Sequence, residues 1–166
     1  MAETAAEQAA TAKRDRVFLV VVDDSAEREV ALKYACLRAR NGGGRLALLR
    51  VLEPVGMIEW AGVGVLMAEE RREEAEKLLS AMAAEVNEIT GGLPILLIRE
   101  GEPRDELLSL LEEDPRISIL VLAAATGGSG PGPLISALTG RYAAKLAVPM
   151  TIVPGALSES ELERVT

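Results

Sequence analysis

"RVFLVVVDDSAEREVALKYA", residues 16–35, changes its periodicity at one point, and that change decides the fold. Residues 16–22 are a continuous apolar, β-branched run, the pattern of a strand buried on both faces. The run stops at Asp23-Asp24-Ser25. Over residues 26–40 the spacing becomes helical: Glu29, Lys33 and Arg40 share a polar stripe, while Val30, Tyr34 and Leu37 lie opposite with Ala31 and Ala35. Asp24 or Ser25 is expected to cap this helix, with Asp24 and Glu27 at capping-box spacing. A doubly buried strand followed by an amphipathic helix is the repeating unit of a parallel sheet.

The rest of the chain repeats that unit. "NGGG" at 41–44 ends the helix, and "RLALLRVL" at 45–52 reads as a second strand. A long helix is expected over residues 66–89, with Ala75, Leu78, Leu79, Met82, Val86 and Ile89 on its apolar face. Residues 94–100 read as a third strand, and Pro103 takes the first position of a short helix carrying Leu107, Leu108, Leu110 and Leu111. "RISILVLAAA" at 116–125 and "VPMTIVPG" at 148–155 supply strands four and five. Between them, Pro133 is placed to start a helix, with a break expected near Gly140. The fold class is therefore α/β, an open five-stranded parallel sheet with helices on both faces. The domain is expected over 16–155, between a tail at 1–15 rich in Ala and charge and a tail at 156–166. In the latter, Ser158 and Glu161 are at capping-box spacing and Leu157 and Leu162 at staple spacing, enough for one helical turn.

Composition narrows the function classes. A chain of 166 residues buries one sizeable core without metal or disulfide staples, and with 2% aromatic residues that core must come from Leu, Val, Ile and Ala. A formal charge of -8 argues against nucleic acid and anionic membranes as partners. The absence of histidine removes Ser-His-Asp and Cys-His catalysis. The single cysteine, Cys36, allows no internal disulfide and no four-thiolate zinc site, and reads as a small core residue. No stretch has the apolar length of a signal peptide core or a membrane span, so the chain is expected in the cytoplasm.

Ligands of open parallel sheets bind beyond the carboxyl ends of the strands, where the strand order reverses. If strand four lies beside strand one, Asp23-Asp24-Ser25 faces the loop of "ATGGSGPGPLISALTGRY", residues 125–142. Glycine lets the main chain approach an anion, and a nearby helix start adds N–H donors. A carboxylate reads an amine but repels phosphate, so Asp23 belongs at the base end of such a cleft. Each segment also has a plainer reading, as a helix cap and as a connector. Trp60 either covers the cleft or a partner surface, or packs on its own domain. A Walker P-loop is missing, and the prolines of "GGSGPG" weaken a dinucleotide fingerprint.

Gly127, two residues, Gly130, nine residues and Gly140 reproduce the glycine spacing of the ATP-binding universal stress proteins, and the chain from Val17 to Pro154 resembles that family. "VVVDDSAEREVALKYA", "LALLRVLEP", "REGEP" and "VPMTIVP" match its segments in order. The resemblance implies strand order 3-2-1-4-5, a homodimer, and a cleft for ATP or another adenine nucleotide, with or without Mg²⁺. Its site would include Val22, Asp23, Asp24, Ser25, Val51, Gly127, Gly130, Gly140 and Arg141. Asp23 would accept from the adenine amino group, Val51 main-chain atoms would meet the base edge, and the three glycines would approach ribose and phosphates.

Arg141 departs from the family's Ser or Thr. It is expected either to clamp a phosphate bidentately or to pair with Asp24 and close the site. The first outcome suits a nucleotide-binding stress protein, the second a dimeric interaction module without nucleotide. A weak ATPase or nucleotidyl enzyme is the third reading, for which the chain shows no evident base or nucleophile.

Overall fold

The computed structural model describes residues 16–54 and 61–166. Five parallel strands, β1 (Val17–Val21), β2 (Arg45–Leu52), β3 (Ile95–Glu100), β4 (Ile117–Ala124) and β5 (Met150–Pro154), form one sheet in the order β3-β2-β1-β4-β5. That is the expected architecture and the expected order. The helices are α1 (Arg28–Gly42), α2 (Ala61–Thr90), α3 (Pro103–Glu113), α4 (Pro133–Thr139) and α5 (Glu159–Val165), with a 3₁₀ turn at Ala143–Lys145.

The continuous apolar runs are explained by two cores, one on each face. Successive strand side chains point to opposite faces, so Phe18, Val20, Leu46, Leu48 and Val121 meet α1 and α2, where Leu32, Cys36, Leu79 and Val86 are buried. Leu19, Ala47, Leu49, Leu120 and Leu122 meet α3 and α4 through Leu107, Leu111, Ile135 and Leu138. The register pairs Leu19 with Ala47 and with Leu120, placing all three in the second core.

The helix boundaries follow local chemistry. In α3 the Glu102 carboxylate accepts from the N–H groups of Arg104 and Asp105, and Pro103 takes the first position as expected. α2 starts at Ala61, earlier than residue 66, and runs through Gly62 and Gly64. The expected face of α2 is found: Ala75, Leu79, Met82 and Val86 are buried, with Leu78 and Ile89 packed against them. Beyond residue 155, where a tail was expected, α5 forms with its capping box intact, Ser158 N–H donating to Glu161 and the Ser158 hydroxyl accepting from Glu161 N–H. Leu162 is buried in the first core, and Lys33 Nζ holds Glu159 at 2.8 Å, tying α5 to α1.

Trp60 and the segment 1–15 lie outside the described residues. Among the described residues, no helix is long and apolar enough to cross a membrane.

Candidate functional site

β1 delivers its last residues to the carboxyl edge of the sheet. Val22 is buried and its N–H donates to Leu49 O at 2.8 Å, continuing the ladder by one step. The chain then turns. Asp23 Oδ1 accepts from the Ser25 N–H at 3.0 Å and from the Ser25 hydroxyl at 2.6 Å, an Asx turn. Arg28 Nη1 donates to the carbonyls of Asp23 and Ser25, each at 3.2 Å, and holds the turn from inside.

These bonds correct the expected cap. The N-cap of α1 is Glu27, in a helical conformation and without a side-chain capping bond, so neither Asp24 nor Ser25 caps the helix and no capping box forms. Glu27 is committed elsewhere: its Oε1 accepts from the Thr126 N–H at 2.9 Å and from the Thr126 hydroxyl at 2.6 Å. The Thr126 hydroxyl, then its N–H, hold the Glu27 carboxyl below its usual pKa. Sequence reasoning missed this contact because its partners stand 99 positions apart. The strand order brings the residues after β1 and β4 together, and in that light a Thr just before Gly127 was the available signal.

The loop after β4 closes on itself, with Ala125 N–H donating to Pro131 O at 3.1 Å. Gly130 and Gly132 sit at φ 95° and 106°, backbone that other residues rarely adopt. Gly127 is different. Its φ is not positive, and a Cβ built on it meets nothing within 4 Å. The fold itself makes no demand for glycine there.

Gly140 and Arg141 follow the next helix rather than the loop itself. Pro133 begins α4 as soon as the loop ends, and Gly140 closes the other end of that helix, its N–H donating to Ser136 O at 3.2 Å. The break expected near Gly140 is therefore found, with the 7 residues of α4, about 10 Å of helix axis, between Pro133 and it. Arg141 is exposed, with its guanidinium carbon 5.9 Å from the centre of the Tyr142 ring. It does not pair with Asp24. That carboxylate is taken by Arg50 of β2, whose Nη2 lies 2.8 Å from Asp24 Oδ1 and whose Nη1 donates to Val22 O at 3.1 Å. Arg28, Glu27, Thr126 and Arg50 are the site residues that the sequence did not disclose.

Adjoining cavities line the carboxyl edge. One of about 80 Å³ lies between β1 and β4, lined by Val21, Asp23, Ser25, Arg28, Pro131, Gly132 and Pro133. One of about 190 Å³ lies over β1 and β2, lined by Val22, Asp23, Asp24, Arg50, Val51 and Arg71. Asp23 borders both, so a ligand across this edge meets a carboxylate at its centre, the Val51 strand end on one side and the glycine loop with Arg28 on the other. Among the described residues, no three His, Cys, Asp or Glu side chains gather to hold a metal ion. Cys36 is fully buried, and burial pushes its thiol up to about 12, which leaves no thiolate for chemistry.

Several solved structures with this arrangement are universal stress proteins. Universal stress protein UspA from Lactobacillus plantarum superposes with a TM-score of 0.72 at 18% identity, covering 84% of this chain and 98% of its own. A universal stress protein from Archaeoglobus fulgidus, solved in complex with dAMP, gives 0.56 at 20% identity over 83% of this chain and 96% of its own. A further universal stress protein, solved in complex with cAMP, gives 0.52 at 17% identity over 85% and 98%. At such identities the likeness speaks for the fold. No curated protein matches the chain. The model of the universal stress protein family matches residues 16–154, the whole sheet and every helix but α5, and on that match the chain belongs to the universal stress protein family.

Proposed function

We propose that this universal stress protein binds an adenine nucleotide across the carboxyl ends of β2, β1 and β4, and acts in the cytoplasm through the bound state rather than through catalysis. The observation that carries the reading is Gly127: neither its backbone angle nor its packing requires glycine, so the open space above it is available to a ligand. Asp23 offers lone pairs beyond the two bonds from Ser25, enough to accept from an adenine amino group. Val51 main-chain atoms meet the base edge, Val22 and Ser25 flank it, and Gly127, Gly130 and Arg28 face ribose and phosphate.

The ligand we assign is a monophosphate rather than ATP. Pro131 and Pro133 contribute no N–H, and Asp23 and Asp24 oppose further negative charge. Relatives solved with dAMP and cAMP carry ligands of this size. Mg²⁺ would enter only with a longer phosphate chain.

Thermal unfolding with AMP tests this. Ligand at a hundred times its Kd stabilises the native state by about 2.7 kcal/mol. Gly127→Val is expected to abolish that gain while leaving the ligand-free protein within about 0.5 kcal/mol of the native chain. A variant that keeps the full gain, or that unfolds without ligand, contradicts the assignment.

The homodimer belongs to the same proposal. β5 is an edge strand and its Ile152 is 40% exposed, a row of unpaired backbone groups beside an apolar side chain. Light scattering is expected to return twice the chain mass, and a monomer at working concentration would remove the dimer from the account.

One observation favours a second reading, a dimeric interaction module without nucleotide. The β1/β4 cavity of about 80 Å³ is well below the roughly 300 Å³ at which small-molecule pockets begin. In that case AMP and ATP leave the melting temperature unchanged in every variant.

A further inference from the structure

The end of β2 carries a cation whose needs the chain only partly meets. The Arg50 side chain is 17% exposed, yet its one carboxylate partner, Asp24, is 85% exposed on a turn. Asp24 engages a single nitrogen, Nη2, and Arg50 Nε is the buried side-chain N or O atom that lacks any partner among the described residues. Carboxylates and phosphates ordinarily take a guanidinium edge with two oxygens, so half of this edge stands unused. A second guanidinium lies close by. Arg71 of α2 donates to Glu53 O at 2.7 Å and forms no ion pair among the described residues. Both arginines, together with Asp24, line two cavities of about 190 and 200 Å³. Asp23 and Glu53 border the first and Glu74 the second, and these carboxylates limit how much negative charge the site accepts.

We infer that Asp24 is a stand-in on Arg50, and that Arg50 and Arg71 together hold the phosphate group of a small ligand, free phosphate or a phosphate monoester, which displaces Asp24. A tetrahedral anion offers oxygens to Nε and Nη2 of Arg50 at once and still reaches Arg71, which a single exposed carboxylate does not. The site lies over β1 and β2, on the opposite side of β1 from the glycine loop, in the cavity where Asp23 and Val51 would meet an adenine base, so phosphate there and the nucleotide proposed above compete for one space.

The test follows the Arg50 Nε–H resonance of the full chain, identified by its disappearance in Arg50→Lys, during titration with sodium phosphate against sodium chloride at equal ionic strength. A saturable, phosphate-specific shift is expected. Asp24→Asn, which removes the competing charge, is expected to tighten binding, and Arg71→Ala to weaken it roughly tenfold, the scale of one lost charge-assisted bond. Circular dichroism confirms that both variants fold. Glycerol phosphate binding more tightly than the free ion identifies a phosphorylated metabolite as the ligand, and the reverse order identifies phosphate itself; either supports the site. No shift beyond chloride in both the native chain and Asp24→Asn overturns the inference, as does unchanged affinity in Arg71→Ala. Adenosine, which has no phosphate, separates the two proposals: binding of adenosine with phosphate silent leaves the nucleotide reading standing and this one overturned, and the converse reverses that outcome.

Discussion

Leu120→Ala is expected to destabilise the protein by about 3 kcal/mol, within the range for leucine truncation in a packed core. Leu120 is fully buried at the middle of β4, paired with Leu19 of β1 on one side and Met150 of β5 on the other. Its side chain lies in the core that also holds Leu107 of α3 and Leu138 of α4. Strands hydrogen-bonded on both sides cannot close around the missing atoms, so the cavity persists and its cost adds to the lost transfer energy. The denaturant midpoint falls while the slope stays constant, because the surface exposed on unfolding hardly changes. Leu96→Ala, on the β3 edge where the side chain is 42% exposed, is the control and should cost much less. Equal effects from the two leucines would show that the described core is misplaced.

Gly155→Ala is expected to cost about 1–3 kcal/mol, the range for overpacking, although it adds a single carbon. A Cβ on Gly155 would run into the Ala124 carbonyl oxygen, which is backbone and cannot swing away, and would come within 2.5 Å of Glu27 Cγ. Glu27 is the residue that holds Thr126, so the same methyl pushes on the anchor of the glycine loop. The consequence is a double signature. Gly155→Ala should lower both the melting temperature and AMP affinity, whereas Gly127→Val should lower affinity alone. A Gly155→Ala protein with native stability would mean that the Glu27 side chain does not pass through this gap.

The sheet was legible in the residues because burial on both faces leaves no ambiguity: "RVFLVVV", "RLALLRVL" and "RISILVLAAA" are apolar at odd and even positions alike. The early start of α2 was not, since Gly62 and Gly64 signal a loop where the helix in fact continues. The turn at Asp23 was legible in place but not in purpose. An acidic residue after a strand reads as a cap, and only the folded chain shows Asp23 bound to Ser25 and Glu27 drawn to Thr126. Arg50 and Asp24 meet across 26 positions and two strands, which periodicity cannot report. The structure places Gly127 and Gly130 in one loop and Gly140 at the end of the helix that follows it. Spacing along a chain is silent on whether a loop or a helix fills the interval, and here Pro133 filled it with α4.

The most direct measurement is calorimetric titration of the nucleotide-free full chain with AMP and, separately, with ATP and Mg²⁺. The account predicts saturable binding of AMP at one site per chain, with ATP weaker because its added negative charge meets Asp23 and Asp24. ATP binding more tightly than AMP, or neither nucleotide binding at all, would contradict it.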